Sequence, residues 1–272
     1  MKQVELHYGA ASDVGLVRKV NEDSYFASPP IFVVADGMGG HDGGDVASAI
    51  VAEEFATLAE GGYDPRHGQT AIEETLASCQ DRITDFGRAQ IAQGKSQWYA
   101  GTTVVAALLV EDDEGVKWLL CNLGDSRIYR LAGDRLSQVS VDHSVVQELV
   151  DAGSITSDDA ATHPERHVIT RALGGPEKVK ADYFLLDLPT VERLLLCSDG
   201  ISGMIDDAAI AAVLIDAEDP RDAADRLVAA ALKAGGRDNA TAVVIDVVGW
   251  AEEDYDSDRQ RLSLETKLGA LP

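Results

Sequence analysis

The sequence predicts an α+β fold: a four-layer α-β-β-α sandwich of two antiparallel sheets flanked by helix pairs, with a flap inserted beside one edge. Three observations point to it. Helix-period segments come in pairs, at 44–60 with 66–93 and at 206–215 with 220–234. Between the pairs, strand-period runs follow one another with no helix among them, which makes them antiparallel neighbours. Several apolar runs stop at, or start just after, an aspartate, so the strand ends can gather carboxylates at one edge.

Taken in order, residues 4–12 and 24–28 read as short strands. The apolar run 31–35 reads as a buried strand that ends in Asp36-Gly37-Met38-Gly39-Gly40-His41, a carboxylate delivered into a glycine-rich turn. Val51, Phe55 and Leu58 mark one face of the helix at 44–60. Ile72, Leu76, Cys79, Ile83 and Phe86 mark one face of the helix at 66–93. Strands at 101–109, 116–123, 126–131 and 135–139 are separated by turn residues at 111–115, Gly124-Asp125 and Ala132-Gly133-Asp134. Residues 142–175 open a short helix after Asp142-His143-Ser144 and are then broken at Gly153, at 156–159 and at His163-Pro164. Such an irregular insertion on a sheet is commonly a lid or substrate flap, here about 143–170. Strands return at 180–187 and 193–198. The second helix pair has Pro220 at one start and Gly235-Gly236 at its end. A strand at 241–248 closes a domain spanning 1–248. The acidic residues 251–258 make 249–272 a flexible tail, in which Leu264, Leu268 and Leu271 could form one amphipathic turn.

Composition narrows the function. With 47 Asp and Glu against 23 Lys and Arg, the formal net charge is −24, so nucleic acid and anionic membrane surfaces are excluded as main partners. Cys79, Cys121 and Cys197 lie in apolar or helical runs, as buried free thiols of a reducing compartment do. The start of the chain does not read as a signal peptide and no apolar run reaches membrane-spanning length, so a soluble, cytoplasmic protein is expected; a monomer is a separate expectation.

The candidate chemistry rests on Asp36, Asp125, Asp199 and Asp238. Four carboxylates in one place repel one another unless cations compensate them. An all-oxygen ligand set favours Mg²⁺ or Mn²⁺ over zinc. Two such ions can share a bridging water, lower its pKa and aim it at phosphorus, while Arg18 pairs with the phosphate oxygens. That chemistry is phosphoester hydrolysis by direct attack of water. Ser126 and Ser198 adjoin acids but have no base in reach of the sequence pattern, so they read as structural. No Gly-x-x-x-x-Gly-Lys phosphate loop occurs.

Seven motifs in order, Arg18-x-x-Asn21-Glu22-Asp23, Asp36-Gly37-Met38-Gly39-Gly40-His41, Gly101-Thr102-Thr103, Gly124-Asp125-Ser126-Arg127, Asp142-His143-Ser144, Ser198-Asp199-Gly200 and Arg237-Asp238-Asn239, resemble the metal-dependent 2C-type (PPM) serine/threonine protein phosphatases, and the bacterial branch in particular. The resemblance runs over about residues 5–248. It implies Asp36 as the carboxylate bridging two Mn²⁺ or Mg²⁺ ions, the Gly37 carbonyl as a ligand of the second, and Asp199 and Asp238 as further ligands of the first. It implies Glu22 and Asp23 as acids holding water in the centre, Arg18 as the phosphate-binding arginine, and Asp125 as a ligand of a third, weaker ion. At the position where some relatives carry an acid for that third ion, this chain has Gly203. His41 is the candidate proton donor to the leaving group or, equally, a histidine that only hydrogen-bonds the Gly39-Gly40 turn; His143 and His163 of the flap, or a metal-bound water, are the alternative donors. The expected partners are phosphorylated proteins and the bacterial-type serine/threonine kinase that makes them. The alternative reading is a phosphatase-fold regulator or a pseudophosphatase binding module, which the retained metal aspartates disfavour.

Overall fold

A computed structural model describes residues 4–39, 43–94, 99–160, 162–175, 180–188 and 191–250. His41 and the expected tail beyond Trp250, with Leu264, Leu268 and Leu271, lie outside the described residues. In chain order the elements are β1 (Val4–Asp13), β2 (Asp23–Ser28), β3 (Ile31–Met38), α1 (Gly44–Glu60), a 3-10 turn (Pro65–His67) and α2 (Gly68–Ala92). There follow β4 (Gly101–Thr102), β5 (Val104–Asp112), β6 (Gly115–Leu123), β7 (Arg127–Ala132), β8 (Arg135–Gln138), α3 (Val145–Asp151) and α4 (Ser157–Ala160). The chain continues through β9 (Asp182–Asp187), β10 (Arg193–Cys197), α5 (Asp199–Ser202), α6 (Asp207–Asp216), α7 (Pro220–Lys233) and β11 (Ala240–Trp250).

The strands form two antiparallel sheets, ordered β1-β11-β10-β7-β8 and β2-β3-β5-β6-β9, with β4 pairing β3 off the second path. Burial divides the interior into three apolar layers, which is what a four-layer sandwich requires. Alternate residues of β3 face opposite ways: Ile31 and Val33 pack with Val51, Phe55, Ile72 and Ile83 of α1 and α2. Phe32 and Val34 pack between the sheets with Trp118, Ile128, Leu194, Leu196 and Ile245. On the far side, Tyr129, Leu195, Cys197 and Val244 pack under α5, α6 and α7 through Ile201, Ile210, Leu227 and Ala231. Central strands buried on both faces must be continuously apolar, so their sequence carries no alternation.

The structure differs from the sequence reading in three places that matter to function. β3 does not stop before Asp36: it runs to Met38, because Gly37 and Met38 pair with Thr102 and Gly101 of β4. Asp36 is therefore held by a strand and not by a turn. The expected strand 101–109 is split at Thr103, whose backbone N–H is donated to the Asp36 carbonyl at 2.9 Å. A short helix, α5, starts at Asp199 directly after β10; at four residues it is too short to show periodicity.

Candidate metal centre

Strand ends from both sheets meet at one edge and carry the candidate carboxylates. Asp23, the first residue of β2, is directly opposite Asp36 in the β2–β3 pair. Asp125 sits in the β6–β7 turn, Asp199 follows β10, and Asp238 precedes β11. Asp36, Asp125, Asp199 and Asp238 line a cleft of about 720 Å³ together with Arg18, Glu22 and Gly37. Arg166, His167, Val168 and Ile169 of the flap form another wall.

Each carboxylate is positioned by hydrogen bonds that trace to a short sequence motif. The Asp36 N–H is donated to Thr103 Oγ1 at 3.0 Å, and the Thr102 hydroxyl is donated to the Asp36 carbonyl at 3.0 Å. Thr103 Oγ1 is in turn 2.7 Å from Ser126 Oγ, so β3, β5 and the Asp125 turn are tied together by buried hydroxyls. The Ser198 hydroxyl donates to Asp23 Oδ2 at 2.7 Å and accepts the Thr241 N–H at 3.0 Å, which makes Ser198 a structural residue, as the sequence implied. Arg18 Nη2 donates to Asp238 Oδ2 at 2.7 Å. Asn239 does most to hold the Arg18 loop: its Nδ2 donates to the carbonyls of Val14 and Val20, both at 2.9 Å, and its Oδ1 accepts the Glu22 N–H at 2.8 Å. Gly37 must be glycine, because a Cβ there would collide with the carbonyl oxygens of Gly44 and Glu22.

The flap residues named from the sequence are fasteners of its base. Asp142 accepts Arg127 through Nε at 3.0 Å and Nη2 at 2.7 Å. Ser144 Oγ caps α3 by accepting the Gln147 N–H at 3.3 Å. His143 is buried; its Nδ1 accepts the Gly124 N–H at 3.1 Å, which puts the ring proton on Nε2, 3.1 Å from Asp182 Oδ2. With that tautomer the nearby Arg171 bonds Asp182 and not the ring. His143 therefore shapes the Gly124-Asp125 turn and does not face the cleft, which corrects its expected role as an alternative proton donor. His163 Nδ1 accepts the Glu165 N–H at 3.1 Å and is likewise not among the cleft residues. The flap histidine that does reach the cleft is His167, its Nδ1 3.9 Å from Asp199 Oδ2. Neither a motif nor a periodicity singled it out.

The charge balance calls for cations. Burial, with further push from neighbouring aspartates, raises Asp23 to about 7 and Asp125 to about 8. Burial likewise pushes Asp36 well above the ordinary carboxylate range, helped by Asp23, Asp199 and Asp125, and raises Asp199 beside Asp238. Oδ1 of Asp23 and Oδ1 of Asp125 are buried with no hydrogen-bond partner. Among the described residues no three acids already close around a point as a ready cage, and Asp238 is turned to Arg18. Orphaned carboxylate oxygens, an all-oxygen donor set and carboxyls that hold protons for want of positive charge fit hard divalent cations.

A stability prediction follows from these directions. A carboxyl whose folded pKa lies above its unfolded value of about 4 keeps its proton in the fold after the unfolded chain has lost it. The folded state then binds more protons, so stability falls as pH rises from about 4 to about 8. Thermal melts of metal-free protein at pH 5, 6.5 and 8 are expected to show a falling melting temperature, with the largest Mn²⁺-induced gain at pH 8. A metal-free melting temperature that rises over this range would contradict the cluster.

The protein-family profile described as protein phosphatase 2C matches residues 18–234. The chain is 39% identical over 251 residues to the serine/threonine protein phosphatase PstP of Mycobacterium tuberculosis, covering 92% of this chain and 46% of that protein. It thus spans about half the length of that curated relative. It is 33% identical over 249 residues to the serine/threonine phosphatase stp of Listeria innocua, covering 89% of this chain and 96% of that one. Among solved structures it resembles the catalytic domain of PstP in complex with two manganese ions, with a TM-score of 0.76 and 35% identity over 91% of this chain and all of that one.

Proposed function

Since the chain belongs to the protein phosphatase 2C family, we propose that it hydrolyses phosphoserine and phosphothreonine esters in proteins, using two Mn²⁺ or Mg²⁺ ions. The observation that carries this reading is the gathering of Asp23, Asp36, Asp125, Asp199 and Asp238 at one sheet edge, with buried carboxylate oxygens left unpartnered, beside the arginine Arg18. Asp36, Asp199, Asp238 and the Gly37 carbonyl would hold the two ions, and Asp125 a third and weaker one. When bound, such ions lower the pKa of water and offset charge on the phosphoryl oxygens.

The remaining work falls to the chain. Glu22 and Asp23 orient water at the cleft floor by accepting hydrogen bonds from its O–H groups. Arg18 receives the phosphate oxygens through its forked N–H groups. The Asp238 carboxylate and the Asn239 clamp pre-set the direction of Arg18, so little order is lost on binding. Departure of a serine or threonine alkoxide requires a proton, and His41 is the proposed donor. The partners would be proteins phosphorylated by a serine/threonine kinase, met by a monomer in the cytoplasm. Residues 1–248 would form the catalytic domain and 249–272 a separate tail.

Incubation of the purified chain with a phosphothreonine peptide tests this. Release of inorganic phosphate is expected with Mn²⁺ or Mg²⁺, loss of release in excess chelator, and recovery when Mn²⁺ is restored. Among the described residues no helix is long and apolar enough to cross a membrane, so the assay needs no detergent for this segment. Binding of the peptide without any phosphate release would favour the pseudophosphatase reading.

A further inference from the structure

The floor of the cleft is acidic, but its walls hold two arginines that no described carboxylate pairs. We propose that Arg166 and Arg237 form a subsite for an anionic side chain next to the phosphorylated residue. The protein would then favour acidic or multiply phosphorylated segments. The inference rests on the phosphatase reading above and names the substrate class of that same cleft.

The first support is that, among the described residues, no carboxylate engages either arginine. Acids outnumber bases by 47 to 23, and several arginines are held by carboxylates: Arg82 by Glu53 and Glu54, Arg127 by Asp142, Arg226 by Asp216. Among the described residues, Arg166 meets only the carbonyl of His163, at 3.4 Å, and Arg237 forms no hydrogen bond or ion pair. Both are exposed and both line the cleft. A guanidinium left free beside so much carboxylate is available to an incoming anion without first breaking an ion pair.

The second support is placement. Arg237 directly precedes Asp238, so its Cα is about 3.8 Å from that of a proposed ion ligand. Arg166 directly precedes His167, which reaches Asp199. Each is therefore one residue from a group at the carboxylate floor, on different elements: the flap, and the turn that ends α7. That turn is rigid. Gly235 and Gly236 adopt φ of 135° and 50°, and the Leu16 N–H is donated to the Gly236 carbonyl at 2.7 Å. Arg237 is thus presented from the loop system that also carries Arg18. A phosphate on Arg18 leaves Arg166 and Arg237 to whatever flanks it, and their fork geometry suits carboxylate or phosphate equally.

Three phosphothreonine peptides test the subsite, flanked by alanine, by glutamate, or by a second phosphothreonine. With Mn²⁺ present, the wild-type chain is expected to show a kcat/KM about tenfold higher on the anionic peptides than on the alanine peptide, expressed mainly in KM and shrinking at about 0.5 M salt. An advantage on both anionic peptides identifies a general anion subsite, and one confined to the second phosphate identifies a phosphate subsite; either supports the inference. In the Arg166→Ala/Arg237→Ala double variant the advantage should fall to about onefold, with partial recovery in Arg237→Lys and melting temperatures unchanged. Turnover with the same peptide ratio in wild type and double variant overturns the subsite and leaves the phosphatase reading intact. Absence of turnover on every peptide overturns that reading, and the subsite with it.

Discussion

Asp36→Asn is expected to reduce phosphopeptide turnover by roughly a thousandfold or more, since a bound metal pair lowers the barrier by several kcal/mol. Asp36 is the carboxylate against which the others crowd: Asp23, Asp199, Asp125 and Asp238 all raise its pKa. Its backbone is fixed on both sides by Thr102 and Thr103, so an amide there inherits the position without the charge. The same substitution should stabilise the metal-free protein at pH 8, because it removes one charge from a buried like-charged cluster. Turnover and stability should therefore move in opposite directions. Near-wild-type turnover in Asp36→Asn would remove Asp36 from the ion-holding set. A variant that loses both activity and metal-free stability would make it a structural residue.

Asn239→Ala is expected to cost about 2–4 kcal/mol of stability, because three backbone groups lose their partner at once and an unpaired buried polar group costs about 1–3 kcal/mol. The side chain is buried, so water cannot readily replace it. For a chain of this size that is a fall in melting temperature of about 5–15 °C. Releasing the carbonyls of Val14 and Val20 also frees the loop that carries Arg18, so KM for a phosphopeptide should rise with the loss of stability. Asn239→Asp sharpens the test: it keeps an acceptor for the Glu22 N–H but sets oxygen against two carbonyl oxygens, and should be nearly as damaging. Urea unfolding within about 0.5 kcal/mol of wild type for Asn239→Ala would show that the clamp is dispensable.

What could be read from the sequence follows from where the constraints are local. Helices α1, α2 and α7 announce themselves through Phe55, Ile72, Ile83 and Leu227 on single buried faces. The sandwich follows from strand runs such as β5 and β6, which are apolar throughout because both faces are covered. The aspartates could be found because each stands at the end of such a run. Other features depend on tertiary partners that sequence order hides. The extension of β3 past Asp36 to Met38 exists because β4 arrives from more than sixty positions later in the chain. The role of His143 is set by Asp182 across β9, and the approach of His167 to Asp199 is set by the return of the flap over the cleft. Arg237 lies inside a recognised motif, yet that no described carboxylate pairs it emerges only when its surroundings are known.

The central claim is that the clustered aspartates exist to hold two divalent ions that make phosphoester hydrolysis possible. Bound manganese and phosphopeptide turnover measured on the same samples, from fully chelated to saturated, test it most directly. Two ions per chain are predicted to accompany full turnover in the wild-type protein, turnover should vanish in the chelated sample, and Asp36→Asn should lose both together. Full turnover with no manganese or magnesium bound, or two ions retained by an inactive Asp36→Asn variant, would contradict the claim.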